Sequence, residues 1–159
     1  MRIGQGGNEV NIWKIRTMYP DAEKLLTTYL EQNPPMRAEW EVAQKLKNDP
    51  RVTRVGRILR KFSLDEFPQL FNVLKGEMSI VGPRPCMQDQ ISLYKKCFVL
   101  YKHVLPGITG LWQVSGRNEL SYQSRVALDE YYVRNWSFWL DIHILTRTLG
   151  VVLRGRGSY

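Results

Sequence analysis

The sequence predicts a mixed α/β fold that is mostly helical and contains a small β-sheet. Most of the chain repeats its apolar residues every three or four positions, which is the period of an amphipathic helix. Only short segments alternate apolar and polar residues or concentrate β-branched ones, as strands do. The length of 159 residues and the apolar fraction of 43% fit one globular domain with its own core.

The N-terminal third is predicted to contain one strand and three helices. Residues 10–16 alternate and predict a strand, with Lys14 and Arg16 on one face. Pro20 and the acids that follow it predict a helix start, and Asn33-Pro34-Pro35 is expected to end that helix. A second helix is predicted from about 37 to 47 and a third from about 52 to 62. In the third helix we expect an inward apolar face of Val55, Ile58, Leu59 and Phe62, and an outward basic face of Arg54, Arg57, Arg60 and Lys61.

The remaining elements follow from the same patterns. Phe67, Leu70, Phe71 and Leu74 stand at helical spacing, and Gly76 fits the helix end. The pattern then predicts a short strand at 79–81, an extended or turning segment at 82–85, and a helix from about 88 to 101. A loop at 106–110, a strand at 111–114 and a turn at 116–118 lead to two final helices, predicted at 120–133 and 137–153.

The charge of the chain predicts an anionic partner. Lys and Arg outnumber Asp and Glu by 23 to 15, giving a net charge of +8. Nucleic acid, an anionic membrane surface and phosphorylated substrates all fit this excess, although no nucleic-acid-binding motif is present. Two cysteines are too few for a disulfide framework or a zinc site, and we expect both to be reduced. No stretch approaches the ~18 apolar residues that span a bilayer, so the chain is expected to be soluble or peripheral.

The adjacent acids Asp65 and Glu66 admit two interpretations. Ser63 and Glu66 match the spacing of a capping box, and acids stabilise a helix N-terminus. The same pair, beside a basic helix, could instead hold a divalent cation and present one oxygen as a nucleophile. Residue types and spacing alone favour the capping interpretation.

Several basic residues are candidates for phosphate contacts. Arg84 lies between Pro83 and Pro85, and this stiff backbone lowers the entropy cost of aiming its guanidinium at phosphate oxygens. Arg117 invites the same interpretation. Lys14 and Arg16 could contact phosphate or form salt bridges, and the pattern leaves both open.

The C-terminal segment from Trp136 to Leu145 is rich in large apolar side chains. A core helix is the default interpretation. The alternative is an interfacial helix, with tryptophan rings at headgroup depth and Arg147 and Arg154 at anionic lipid.

The run from Ser63 to Pro85 closely resembles the signature of the bacterial sugar transferases, which are monotopic polyprenyl-phosphate phosphoglycosyl transferases. The resemblance covers nearly the whole chain, including Arg2-Ile3-Gly4, 12–18, 106–110, 116–118 and Leu128-Asp129-Glu130-Tyr131-Tyr132. It implies one catalytic domain over residues 1–159, with amphipathic helices lying at the cytoplasmic face of the bacterial inner membrane. It also favours the catalytic interpretation of the acidic pair over the capping one.

The resemblance further implies a two-step transfer of galactose or glucose 1-phosphate from a UDP-sugar to polyprenyl (undecaprenyl) phosphate, an early step of polysaccharide synthesis. Asp65 would be the nucleophile. Glu66 would orient Asp65, and the two acids would hold Mg²⁺. Arg84 and Arg117 would bind phosphate, supported by Lys14 and Arg16, with Asp129 as a secondary candidate.

The chain departs from the resemblance in two places. The re-entrant membrane helix that precedes the Arg-x-Gly segment in this family is not in the sequence. The stretch from 18 to 54 is longer than in minimal members and resembles the larger hexose-phosphate enzymes, which slightly favours galactose. A homo-oligomer is left open, and no nucleic-acid partner is expected. The alternative function is a non-catalytic basic module that binds the membrane surface.

Overall fold

The computed structural model describes residues 1–43, 46, 49–116 and 120–154. Within these residues, strand β1 (Arg2–Ile3) pairs antiparallel with β2 (Glu9–Val10), and β3 (Ser79–Val81) pairs parallel with β4 (Gly107–Thr109). Helices α1 to α9 span, in order, Ala22–Gln32, Pro34–Ala43, Arg54–Lys61, Gln69–Leu74, Ile91–Tyr94, Phe98–Tyr101, Leu111–Ser115, Tyr122–Arg134 and Phe138–Arg154. The predicted fold class, mostly helical with a small β content, is confirmed.

Four predicted segments differ from the structure. The strand predicted at 10–16 stops at Val10, and residues 11–17 have no regular secondary structure. The segment predicted as a strand at 111–114 is helix α7, while the loop predicted before it contains strand β4. The helix predicted from 88 to 101 is divided into α5, α6 and two short 3-10 turns, because the backbone of Lys95 takes a positive φ of 48°.

Helices α3 and α4 place their apolar stripes outward, contrary to the prediction for α3. Val55 and Ile58 are exposed, as are Phe71 and Leu74, of which Leu74 is 83% exposed. The opposite sides of both helices pack against the backbone of residues 11–18 through polar contacts. Arg60, expected outward, donates through Nε to Thr17 Oγ1 at 2.9 Å. Polar contacts with residues 11–18 therefore decide which side of α3 and α4 faces inward, whatever the hydrophobic pattern.

Two small apolar clusters form the described core. The first packs β1 against α5, α6 and α8, and contains Ile3, Cys86, Tyr94, Tyr101 and Val126. The second packs β3 against α7, α8 and α9, and contains Val81, Val114, Tyr132 and Ile144. The segment that carries Pro83-Arg84-Pro85 runs from Val81 in one cluster to Cys86 in the other. Both ends of this segment are therefore fixed.

Glycines let the β3 and β4 strands approach closely enough to fix the start of that segment. The Gly82 amide donates to the Thr109 carbonyl at 2.9 Å, and the Gly107 amide donates to the Pro83 carbonyl at 2.7 Å. A Cβ added to Gly107 would lie 2.2 Å from the Gly82 nitrogen. Only glycine fits at 107 without moving the backbone that leads to Arg84.

Helix α9 has one buried and one exposed apolar face. Ile144 is fully buried in the core, whereas Trp136, Phe138 and Leu153 are exposed and Trp139 is 76% exposed. The core interpretation of this segment therefore describes only one face. Across the described ranges, no helix combines the length and apolar character needed to cross a bilayer.

Candidate active site

The predicted capping box does not form. Ser63 takes a left-handed conformation (φ 55°), and its side chain makes no cap hydrogen bond. Leu64–Glu66 then forms a single 3-10 turn, and α4 begins only at Gln69. Capping is therefore the wrong interpretation of Asp65 and Glu66, because both carboxylates turn away from the helix start toward cationic side chains.

Asp65 is buried and paired with a lysine from a distant part of the chain. Asp65 is only 3% exposed, and its Oδ2 lies 3.0 Å from Lys14 Nζ. The same ammonium lies 3.2 Å from Glu66 Oε1. Lys14 thus bridges the two carboxylates. The backbone adds a further link, since the Ile15 amide donates to the Asp65 carbonyl at 3.0 Å.

Glu66 receives a second cation from the Pro-Arg-Pro segment. Arg84 Nη2 lies 2.9 Å from Glu66 Oε1, the same oxygen that faces Lys14. Burial alone would raise the pKa of Glu66, but the positive charges of Arg84 and Lys14 outweigh it and hold the pKa below its ordinary value. Glu66 therefore stays ionised at neutral pH.

Buried polar side chains fix the two segments that supply these cations. The Asn72 amide binds the backbone on either side of Ile12, accepting from the Trp13 amide at 3.1 Å and donating to the Asn11 carbonyl at 2.8 Å. The Tyr101 hydroxyl donates to the Ile3 carbonyl at 2.7 Å and accepts from the Cys86 amide at 3.2 Å. Sequence patterns gave no sign of either role, because both depend on contacts between distant segments.

Arg2 and Arg125 add positive charge around Arg84 and were also missed as individual candidates. Burial, and then the charge of Arg84, lower the pKa of Arg2. Burial lowers the pKa of Arg125, and Arg84 adds to that shift. The Arg125 guanidinium lies 4.9 Å from the Trp112 ring centroid, and its Nε donates to the Leu120 carbonyl at 3.2 Å. The surroundings of Arg84 are therefore strongly electropositive.

Three predicted site residues remain, Arg16, Arg117 and Asp129. Arg16 is exposed and forms no hydrogen bond or ion pair with the part of the chain that the structure describes. Arg117 lies outside the described residues. Asp129 is buried, and its Oδ2 accepts from the Tyr94 hydroxyl at 2.8 Å. Burial raises the pKa of Asp129 to about 7, with Tyr94 and the charge of Arg84 opposing the rise.

The donor set suits a hard cation that also binds substrate phosphate. Within the described ranges, no three His, Cys, Asp or Glu side chains gather into a metal cage. Mg²⁺ usually takes only one or two protein carboxylates and completes its shell with water and substrate phosphates. Asp65 and Glu66 supply two adjacent carboxylates, which both already contact one cation, Lys14, and this number of carboxylates fits such a Mg²⁺ site.

Comparisons with known proteins agree on one family. A sequence model described as bacterial sugar transferase matches residues 1–155. The exopolysaccharide production protein ExoY of Rhizobium meliloti is 49% identical over 158 residues, which are 99% of this chain and 70% of that protein. The undecaprenyl-phosphate galactose phosphotransferase of Salmonella typhimurium is 52% identical over 99% of this chain and 33% of its own length.

A UDP-glucose:undecaprenyl-phosphate glucose-1-phosphate transferase from Klebsiella pneumoniae is 40% identical over 94% of this chain and 30% of that protein. The chain thus spans about a third of the length of these larger relatives.

Proposed function

The chain belongs to the bacterial sugar transferase family, and from that membership we propose that it transfers a hexose 1-phosphate from a UDP-hexose to polyprenyl phosphate. The observation that carries the proposal is the contact of a buried carboxylate, Asp65, with Lys14, beside the Glu66–Arg84 pair. A held carboxylate among cations is the arrangement that attack on a phosphate anhydride requires.

In the first step, a carboxylate oxygen of Asp65 attacks the β-phosphorus of the UDP-hexose. A new bond forms between that oxygen and phosphorus, and the bond from the β-phosphorus to the bridging oxygen breaks. UMP leaves with the electron pair of the broken bond. The product is a mixed anhydride between Asp65 and the sugar phosphate, which is a known form of covalent catalysis.

In the second step, a phosphate oxygen of the polyprenyl phosphate attacks the same phosphorus. The bond from phosphorus to the Asp65 oxygen breaks, and the carboxylate is restored. The lipid then carries the sugar through a diphosphate linkage. No net proton transfer is needed in either step, since phosphate oxygens and a carboxylate serve as nucleophiles and leaving groups.

The cations of the cluster would stabilise the charge that accumulates on the phosphates. Arg84 presents a planar guanidinium that can bind two phosphate oxygens, and Lys14 acts as a point charge beside Asp65. Arg2 and Arg125 would extend this field, and Arg16 and Arg117 are proposed to help at the same phosphates. Removal of one such donor typically costs 10²–10³-fold in turnover, as an order of magnitude.

Asp65 and Glu66 would hold Mg²⁺ together with the substrate phosphates. When bound, the ion would supply Lewis-acid stabilisation of phosphate charge. The side chains themselves orient the substrate and keep Glu66 ionised, which leaves its oxygens available as ligands.

The exposed apolar faces indicate how the site would meet its lipid acceptor. The helices α3, α4 and α9 all carry exposed apolar side chains, and the basic side chains of Arg57 and Lys61 on α3 and of Lys75 just after α4 are exposed beside them. We propose that residues 1–159 act as one catalytic domain, docked by these interfacial helices at the cytoplasmic leaflet of the inner membrane. Asp65, which follows α3 and precedes α4, would then lie at the level of the polyprenyl phosphate head group.

Galactose and glucose are the proposed sugars. The Salmonella relative is named for galactose and the Klebsiella relative for glucose. The Erwinia amylovora relative, 50% identical, is named a UDP-galactose-lipid carrier transferase. The higher identity of the galactose-named relatives favours galactose.

The nucleophile assignment is tested with Asp65→Asn in the protein that carries this chain. UMP release from UDP-galactose and UDP-glucose is measured with polyprenyl phosphate in vesicles. We expect turnover to fall by more than about 10³-fold, because the amide is a poor nucleophile. Asp21→Asn removes an exposed carboxylate outside the site and is the matched control. Near-normal turnover of Asp65→Asn would reject Asp65 as the nucleophile.

The covalent intermediate has a direct readout. Incubation with UDP-sugar but no lipid acceptor should add the mass of a hexose phosphate to the peptide that contains Asp65. Absence of the adduct together with full turnover would favour direct transfer. Vesicle binding without any turnover, unaffected by Asp65→Asn, would instead favour the non-catalytic membrane module.

A further inference from the structure

The side-chain amide of Asn72 is fully buried although it lies on a helix whose apolar side faces outward. Its oxygen accepts from the Trp13 amide at 3.1 Å, and its nitrogen donates to the Asn11 carbonyl at 2.8 Å. The same nitrogen donates to Glu77 Oε2 at 2.6 Å. The amide is thus bound on both of its polar ends. A buried amide that satisfies another segment's backbone specifies where that segment lies.

Lys14 lies between two fixed points of the backbone. On one side, Asn72 holds Trp13, and on the other the Ile15 amide donates to the Asp65 carbonyl at 3.0 Å. Residues 11–17 have no regular secondary structure. The position of this segment relative to Asp65 therefore depends on these individual hydrogen bonds rather than on a sheet or a helix.

Side-chain packing contributes less to the placement of Lys14 than these backbone hydrogen bonds do, because the Lys14 side chain is 42% exposed. A flexible lysine side chain holds one position only if its Cα is well placed and its partners are near. We propose that Asn72 is a positioning residue, which anchors the Asn11–Trp13 backbone so that Lys14 bridges Asp65 and Glu66. This inference rests on the proposed function, since Lys14 affects turnover only if those carboxylates react and bind.

The unmodified protein offers the first test, through amide hydrogen exchange. The Trp13 and Ile15 amides should exchange slowly, because each donates to a fixed acceptor. The Lys14 amide between them, for which the described residues provide no acceptor, should exchange much faster. A Trp13 amide that exchanges as fast as that of Lys14 would overturn the inference without any variant.

The second test measures the position of Lys14 independently of turnover. The rate of Lys14 acetylation, relative to the exposed Lys96, is compared by mass spectrometry in Asn72→Ala and unmodified protein. We expect Lys14 to react several-fold faster in the variant, because its ion pairs with Asp65 and Glu66 are weakened. Thr148→Val, which deletes the Thr109–Thr148 hydrogen bond of 2.8 Å between β4 and α9, is the matched control. Equal Lys14 reactivity in folded Asn72→Ala and unmodified protein contradicts the inference.

The third test is a double-mutant cycle on turnover. Asn72→Ala should lower kcat about 10- to 100-fold, as expected when a catalytic group is displaced by about 1 Å. In a Lys14→Ala background the same change should cost no more than about twofold, because the group that Asn72 positions is already gone. Losses that multiply in full would assign Asn72 a general structural role.

These outcomes separate the inference from the function on which it rests. Absence of UMP release from both UDP-sugars by the unmodified protein rejects the proposed function, whereas the exchange and acetylation results then still decide the role of Asn72. If Asn72→Ala does not fold, Asn72→Asp replaces it, because it keeps the size and the acceptor while losing both donated hydrogen bonds. Unchanged Lys14 reactivity in folded Asn72→Asp would likewise contradict the inference.

Discussion

The two oxygens of the buried Asp129 carboxyl differ in their hydrogen bonding. Tyr94 donates to its Oδ2, while Oδ1 is buried without a hydrogen-bond partner among the described residues. Burial raises its pKa to about 7. Because the folded pKa exceeds the unfolded value of about 4, the folded chain binds the extra proton between these pH values. The free energy of unfolding therefore falls as the pH rises from about 4 to about 7, because the buried Asp129 must then lose its proton.

Asp129→Asn should show this cost directly. The melting temperature of the variant, relative to the unmodified protein, should rise by a few degrees between pH 5 and pH 8, because the amide never ionises. Thermal melts at closely spaced pH values provide the measurement. Asp21→Asn, at an exposed position, is the control. A melting-temperature difference that is constant with pH would show that Asp129 does not titrate in this range.

Residue identities in the site were predictable only in part. Spacing alone favoured a helix cap for Asp65 and Glu66, and the extended resemblance was needed to indicate chemistry. In the structure, Lys14 contacts both carboxylates and Arg84 contacts that of Glu66. Asn72 was not predictable, because an asparagine on a helix is ordinarily exposed and its burial results from contacts more than 50 residues away in sequence.

Helix α4 shows why a hydrophobic period predicts a helix but not which side of the helix faces the core. Its apolar positions follow the helical repeat, yet Phe71 is 64% exposed while the polar Gln69 and Asn72 are buried. A stripe of this kind is stable if it faces another apolar medium, such as lipid. Local pattern carries no information about which medium that is.

Leu74→Ser tests the outward face of α4. We expect its affinity for vesicles to fall about tenfold, since one leucine side chain would be withdrawn from lipid. The free energy of unfolding in water should change by less than about 0.5 kcal/mol, because the residue is already exposed. Leu25→Ser, on α1, provides the matched control. Unchanged vesicle affinity of Leu74→Ser would exclude this face of α4 from the docking surface.

Helix boundaries were predicted best where proline and glycine mark them. Asn33 separates α1 from α2, which begins with Pro34 and Pro35, and Gly76 follows α4 with a positive φ of 74°. The failures occur where tertiary contacts decide. Strand β4 exists because two glycines allow a close approach, and α5 ends at the unusual backbone of Lys95.

The net charge of +8 and the exposed apolar faces of α3, α4 and α9 would both contribute to the proposed membrane docking. In the docking proposed above, positive charge would draw the chain toward an anionic leaflet, and the exposed apolar side chains would then enter it. Charge attraction is screened by salt, whereas burial of apolar surface is not.

Vesicle sedimentation at increasing salt should resolve the two contributions. Affinity for vesicles with anionic lipid should fall steeply between about 0.05 and 0.5 M salt, and a salt-insensitive part should remain. That remaining part should be smaller in Leu74→Ser. Vesicles of neutral lipid serve as the control, and their binding should depend little on salt. Identical salt dependence on neutral and anionic vesicles would contradict an electrostatic contribution.

The shared contacts of Lys14 and Arg84 with the acidic pair have one more consequence. Two carboxylates and two cations have formal charges that sum to zero, so the resting site presents no net charge to an incoming polyanion. In the proposed reaction, a diphosphate would therefore approach the two acids without net electrostatic repulsion, and Arg2 and Arg125 would attract it from the flank. Lys14 and Arg84 thus act as counterions supplied by the protein itself. They balance the negative charge of the two ionised acids before any substrate or ion from solution arrives.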